Sequence, residues 1–228
     1  MHEPNDNYEK FLALDEEKRK RIIGAAMKEF LAGYKHASTD NIVREAGISK
    51  GLLFHYFGTK ERLYLYLITH VIETVQDEFL GLLNIQQPDI LDSVWQMSLL
   101  KRDLSLKYPV IFDFLTWAYM DVSTQDSPAH EILEHFMQRR NEILAQVYTH
   151  TDYTLFRDDI DPAKAVQLIS WAMNGFAEAT AASVTANPTE GAGVLRENYD
   201  RYLEEFREYV HILRRCFYKN EFFNNITI

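Results

Sequence analysis

The stretch STDNIVREAGISKGLLFHYFGTK, from Ser38 to Lys60, reads as two short helices and the turn between them. Thr39 is placed to cap a helix running to Ala46, since a threonine oxygen can accept from a first-turn backbone N–H. Gly47 supplies a residue that enters positive φ without penalty, and Ser49 caps a second helix starting at Lys50. Two short helices joined by a glycine turn of three or four residues form a helix-turn-helix. Ile42, Ala46, Ile48, Leu53 and Phe57 fall where the two helices face each other and the helix before them, which leaves Ser49, Lys50, Leu52, His55 and Tyr56 pointing outward.

Those outward residues suit the major groove of DNA. Gly51, early in a helix, costs about 1 kcal/mol relative to alanine, and close approach of backbone to phosphate is a reason to tolerate that. Capped helix N-termini offer free N–H groups and partial positive charge to a phosphate. Thr39 and Ser49 open two of them, and Thr59 opens a third just before Lys60. His55 and Tyr56 can donate to phosphate oxygens, and Lys50 reaches a phosphate or a guanine edge. A helical hairpin that merely packs would account for the inner residues but leave Gly51, His55 and Lys60 without a role.

Charge is distributed in the same sense. The net formal charge of −10 argues against polyanion binding by the whole surface, yet residues 18–60 carry +6 and residues from Glu61 onward −11. A small basic head on an acidic body marks the head as the part that meets phosphate. The helix preceding the motif carries Ile22, Ile23, Ala26, Met27 and Phe30 at helical spacing, with Gly33 placed to end it. Its other face holds Lys18 to Arg21, either a solvated charge cluster or a row along phosphates.

Outside the head the pattern is helical throughout. The chain has 228 residues, 46% of them hydrophobic, and only nine glycines, so a packed core is expected and alternating strand patterns are missing. Pro88, Pro109, Pro128, Pro162 and Pro188 separate the apolar stretches, while Pro4 lies in a polar tail. Ser127-Pro128 and Asp161-Pro162 are helix starts. Nine helices follow, near 16–32, 39–46, 50–56, 60–84, 89–106, 109–122, 128–149, 162–186 and 195–219, and the fold class is all-α. No stretch reads as membrane-spanning. The single cysteine, Cys216, forms no internal disulfide, and the start lacks a signal-peptide pattern, so a cytoplasmic protein is expected.

Other chemistry finds no constellation. His130 and His135 are five apart, about 140° round a helix, so they do not make a zinc-protease pair; His130 with Glu134 and Glu131 with His135 are ordinary helical neighbours. Gly191-Ala192-Gly193 lacks the third glycine and preceding strand of a dinucleotide site and reads as a loop. No nucleophile elbow or phosphate loop is present, and Cys216 reads as buried filler on an apolar face. The expectation is therefore no enzyme, no metal and no cofactor.

Taken together, Gly33-Tyr34, Thr39, Ile42, Ala46-Gly47, Ser49-Lys50-Gly51, Leu53-Phe54, Tyr56-Phe57 and Lys60-Glu61 with Leu63 resemble the amino-terminal pattern of the TetR family of bacterial ligand-responsive transcriptional regulators. The resemblance covers residues 17 to 65. It implies DNA contacts at Thr39, Ser49, Lys50, Gly51, His55, Tyr56 and Lys60, to which Leu52 is added as a base-reading candidate. Phe54 stands where tyrosine is usual, so a hydroxyl contact there is not carried over; Arg62, where an acid or amide is commoner, is a neutral change. The implied organisation is a polar tail over 1–16, a DNA-binding head over 17–60 and an effector-binding and dimerisation body over 61–228.

The last two helices carry apolar seams, and the resemblance implies that they pair with a second copy; Phe176, Leu203, Phe206, Val210 and Leu213 are the expected interface. Aromatic and thioether residues crowd the fifth to eighth helices, which suits an apolar pocket. A hydrophobic or aromatic effector held by Trp95, Phe112, Trp117 and Trp171 is expected, and the acidic surplus leaves room for a cationic amphiphile. The reading is a homodimeric regulator, most often a repressor in this family, that binds a near-palindromic operator and is released by a small molecule. The competing reading is a helical ligand-carrying or scaffold protein with a structural amino-terminal hairpin, which leaves the +6 head unexplained.

Overall fold

The computed structural model describes residues 6–121, 127–185 and 197–223. Among them are ten α-helices: α1 (Asp6–Leu12), α2 (Glu16–Phe30), α3 (Thr39–Ala46), α4 (Lys50–Phe57), α5 (Lys60–Glu78), α6 (Ile90–Lys107), α7 (Pro109–Asp121), α8 (His130–Thr149), α9 (Pro162–Thr185) and α10 (Tyr199–Phe217). Short 3₁₀ turns follow α5, α8 and α10, and no strand occurs among the described residues. The expected Gly191–Gly193 loop and the punctuation at Pro4 and Pro188 lie outside the described residues.

Two boundaries differ from the sequence expectation. The segment expected as a polar tail carries α1, whose seven residues are too few for a periodic pattern to register. The fourth expected helix, to residue 84, stops at Glu78. There the chain tightens into the turn Leu80–Leu82, where a Cβ on Gly81 would come within 3.2 Å of the Gln76 carbonyl oxygen.

The chain divides into two compact units that do not follow chain order: Met1–Thr74 with Tyr108–Phe136, and Val75–Lys107 with Met137–Ile228. The first is built on α2, which buries Ile22, Ala26, Met27 and Phe30 against Ile42 and Ala46 of α3, Leu53 and Phe57 of α4, and Leu63, Tyr64 and Leu67 of α5. Each of the Ile, Leu, Met and Phe side chains among them contributes about 1.5–3 kcal/mol by leaving water. Tyr64 lies 5.0 Å from Phe30 and 6.1 Å from Phe114 of α7, ring to ring, so α7 packs within the head unit.

The second unit encloses a core of Ile90, Leu91, Val94 and Trp95 from α6, Ile169 and Met173 from α9, and Leu203, Phe206 and Val210 from α10, closed by Phe156 and Tyr218. Beside it lies a polar cluster that the sequence reading missed. Arg214, fully buried, donates from Nη1 to Asp89 at 2.7 Å and from Nη2 to Asp92 at 2.7 Å, while the Tyr218 hydroxyl donates to Asp89 at 2.9 Å. Asp89 also caps α6, accepting from the backbone N–H of Leu91 and Asp92. One guanidinium faces two carboxylates. Burial and the neighbouring Asp89 charge push the Asp92 carboxyl up to about 6, against the lowering pull of Arg214.

Candidate nucleic-acid interface

Local sequence explains the geometry of the head. Ser38, not Thr39, is the N-cap of α3, its hydroxyl accepting from Asn41 N–H at 3.5 Å; Thr39 is the first helical residue instead. The cap is held to α2 by Glu29, whose carboxylate accepts from Ser38 N–H at 2.8 Å and from the Asn41 amide at 3.1 Å. Gly47 ends α3 at φ +63°, the left-handed position that its lack of a Cβ allows. Ser49 caps α4 by accepting from Leu52 N–H at 3.2 Å, and Thr59 caps α5 by accepting from Arg62 N–H at 3.1 Å.

On α4 the inner positions Leu53, Tyr56 and Phe57 are buried, whereas Ser49, Lys50, Gly51 and His55 are exposed and Leu52 is half-buried. Seven of the eight expected DNA-contact residues therefore keep accessible surface: Ser49, Lys50, Gly51 and His55 are exposed, and Thr39, Leu52 and Lys60 half-buried. Nothing stands within 4 Å of a Cβ built on Gly51, so its lack of a side chain serves no contact inside the protein. Tyr56 corrects the sequence reading. The residue is 6% exposed and its ring lies 5.6 Å from that of Phe11 in α1, because positions 53, 56 and 57 share one helical face.

The basic residues are already engaged. Lys50 pairs with Asp40 of α3 at 2.8 Å. The Lys60 ammonium sits 4.9 Å from the centre of the Tyr34 ring and donates to the Lys35 carbonyl at 3.4 Å. Of the α2 cluster, Lys20 pairs with Glu16 at 2.6 Å, Arg19 donates to the Leu12 carbonyl at 2.6 Å, and Arg21 donates from Nε to the Ala46 carbonyl at 2.8 Å. Those three act as ties within the head, which favours the structural reading of that face over a phosphate row.

The expected effector residues fall in both compact units. Phe112 and Trp117 lie on α7 in the head unit, Trp117 packing on Tyr64 and Phe114. Trp95 is buried in the other unit, stacked on Phe206 at 6.3 Å, and its indole N–H has no partner among the described residues. Trp171 is 60% exposed on α9. The aromatic count could not separate core from surface, because both faces of α9 are apolar.

The expected interface residues divide likewise. Leu203, Phe206 and Val210 belong to the chain's own core, whereas Phe176 and Leu213 are half-buried. The outward apolar face of the same helices carries Leu168, Trp171, Tyr209 and Ile212. Beside it a cleft of about 490 Å³ is lined by Ala172, Phe176, Ala179, Tyr202, Tyr209 and Ile212, among others. One further side chain settles differently from expectation, Cys216 being exposed rather than buried, whereas His130 meets Glu134 at 3.4 Å as the helical neighbour expected.

Residues 22–67 match the family model for bacterial regulatory proteins of the tetR family. The head is also similar to two curated relatives. The HTH-type transcriptional regulator HbdR of Aromatoleum sp. (strain CIB) is 39% identical over 66 residues, covering 28% of this chain and 29% of that protein. The HTH-type transcriptional regulator PksA of Bacillus subtilis (strain 168) is 41% identical over 63 residues, covering 27% and 31%. The match spans less than a third of the length of these relatives. Along nearly the whole chain the fold is similar to that of a TetR family transcriptional regulator from Chloroflexus aurantiacus J-10-FL, with a TM-score of 0.54 at 21% identity, covering 93% of this chain and 98% of that one.

Proposed function

From the premise that this chain carries the helix-turn-helix head of the TetR family of transcriptional regulators, we propose that it is a homodimeric repressor that reads a near-palindromic operator and is released by a small apolar effector. One observation carries the DNA reading: a capped two-turn helix that exposes Ser49 at its cap and Lys50, Gly51 and His55 along it, with Leu52 half-exposed, ahead of Lys60. Three capped helix starts add N–H donors for phosphates, and residues 18–60 are net positive at +6 where the whole chain is −10. A single two-turn helix makes few base contacts, so a two-fold pair on half-sites about 34–36 Å apart is the geometry that yields useful specificity.

For the pair, the outward face of α9 and α10 is the better interface than the buried seam first expected. Leu168, Trp171, Tyr209 and Ile212 are large apolar side chains that a single chain leaves in water. For the effector, Trp95 remains the favoured contact: its unpartnered indole N–H suits an apolar ligand bearing one acceptor oxygen. Phe112 and Trp117 serve the response instead, since α7 packs on α2 within the head unit and a shift of α7 would reach the reading helix through it.

The test is enrichment of duplexes from a random library by the full chain, followed by affinity of the enriched duplex against salt. An inverted-repeat motif is expected, with log affinity falling by about 0.9 per phosphate contacted per decade of salt. Lys60→Ala should flatten that slope by about one contact and weaken all sequences alike, whereas Leu52 or His55 substitutions should change the motif. No enriched sequence would favour the ligand-carrier reading and overturn this one.

A further inference from the structure

We infer that α1 is a positioning element for the reading helix: Phe11 fixes the direction in which α4 presents Leu52 and His55, and so sets sequence preference without reaching DNA. This rests on the reading of α4 as the DNA-reading helix. The helix α1 lies outside residues 22–67, the stretch shared with the family model, so its role is not contained in that match.

The geometry is that of a clamp. Phe11 is fully buried, with ring centres 4.8 Å from Phe57 and 5.6 Å from Tyr56 on α4, and 5.4 Å from Tyr66 on α5. Tyr8, one turn earlier, lies 6.0 Å from Phe57 and stacks on Tyr66 at 5.6 Å, while its hydroxyl donates to the Arg62 carbonyl at 3.3 Å. The end of α1 is held in turn by Arg19 of α2, which donates to the Leu12 carbonyl. Thus α1 touches α4 and α5 with its aromatic face and is anchored by α2.

Such a clamp has a definite task here. A helix of two turns has no orientation of its own and takes the one that packing imposes. Of the three buried side chains of α4, Phe11 covers two, Tyr56 and Phe57, and Tyr56 stands directly beside Leu52, one turn earlier, and His55, its chain neighbour. The link from α4 to α5 is Gly58 and Thr59, and Gly58, at φ +73°, is a residue whose backbone permits many directions. Without α1, α4 keeps its packing on α3, and its aromatic tie to α5 is reduced to the Phe57–Tyr66 contact. Helix α1 presents Glu9 and Lys10 to solvent, one charge of each sign, and no cationic row for phosphates. Its influence on DNA therefore runs through α4.

The consequence is a split that a general loss of stability would not produce. The full chain carrying Phe11→Ala or Phe11→Leu is compared with the unaltered chain on two probes, the library-enriched duplex and a scrambled duplex of equal composition, below the melting temperature of each variant. Phe11→Ala should bind the enriched duplex about tenfold more weakly, the size of one lost base contact. Affinity for the scrambled duplex and the salt slope should stay unchanged, because the phosphate contacts survive. Phe11→Leu, which refills the site, should recover most of the preference. Amide exchange over residues 50–57 should quicken in Phe11→Ala.

If Phe11→Ala does not fold, Tyr8→Ala replaces it and the same split is expected. Equal loss on both duplexes, or native preference in a folded variant, overturns the positioning role. Failure of the underlying reading looks different: the unaltered chain then enriches no duplex, or keeps its motif when Leu52 and His55 are replaced, and the positioning role falls with it.

Discussion

Replacing Asp92 by asparagine removes one of two negative charges that face a single buried guanidinium, while keeping an Oδ1 acceptor for Arg214. In the native chain the Asp92 carboxyl is raised from 3.8 to about 6 by burial and by Asp89. The folded state therefore binds this proton more tightly than the unfolded chain. Between about pH 4 and 6 it holds more protons, so stability falls as pH rises through that window and is level above it. The displacement corresponds to about 3 kcal/mol at full effect. Asp92→Asn fixes the neutral form at every pH. It should raise stability at pH 8 by up to that amount and flatten the profile between pH 4 and 6. Arg214→Met should do the reverse, costing about 3–5 kcal/mol because both carboxylates stay buried without their partner, with the largest loss at high pH. Urea unfolding followed by circular dichroism at pH 4.5, 6 and 8, at one protein concentration, reads all three chains. An Asp92→Asn chain that is destabilised by more than about 1 kcal/mol at pH 8, or that keeps the native slope, would refute the reasoning.

Three further outcomes are expected. Gly51→Ala meets no atom within 4 Å, so it should raise the melting temperature, consistent with about 1 kcal/mol of helix propensity, yet weaken DNA binding in anisotropy titrations by holding phosphate off the backbone. Asp40→Ala frees Lys50 from its 2.8 Å ion pair; because that pair is exposed, stability should change by less than about 1 kcal/mol, while affinity for DNA rises several-fold at low salt. Ile212→Glu on the outward face of α10 should give a folded monomer in sedimentation, whereas Val210→Glu, one position set in the core, should unfold the chain.

Much of the head was legible because its signals are local. Ser49, Thr59, Gly47 and Gly33 act through neighbours within a few residues, and the helix starts at residues 16, 39, 50, 60, 109 and 162 follow from caps and prolines whose effect does not depend on the rest of the fold. What escaped depends on contacts between distant segments. The α1 helix has one fully buried residue, and nothing in seven residues announces that Phe11 meets Tyr56, 45 positions away. Tyr56 looked outward because a helical wheel has no partner drawn on it. On α10 the seam was carried through Val210 to Leu213, whereas the buried face continues four residues on, to Arg214. A charged residue at a seam position is the one clue the sequence offered to the cluster with Asp89 and Asp92. The aromatic set Trp95, Phe112, Trp117 and Trp171 is spread over both compact units for a related reason: composition reports how much aromatic surface exists, not which unit or face holds it.

Hydroxyl-radical footprinting of the full chain on its library-enriched duplex tests the regulator reading most directly. Two protected patches on one face of the duplex, about one helical turn apart, are expected, and both should vanish together in a Lys50→Ala, His55→Ala double variant that remains folded. Protection spread evenly along the duplex, or protection that survives the double variant, would contradict the assignment of the α4 row as the reading surface.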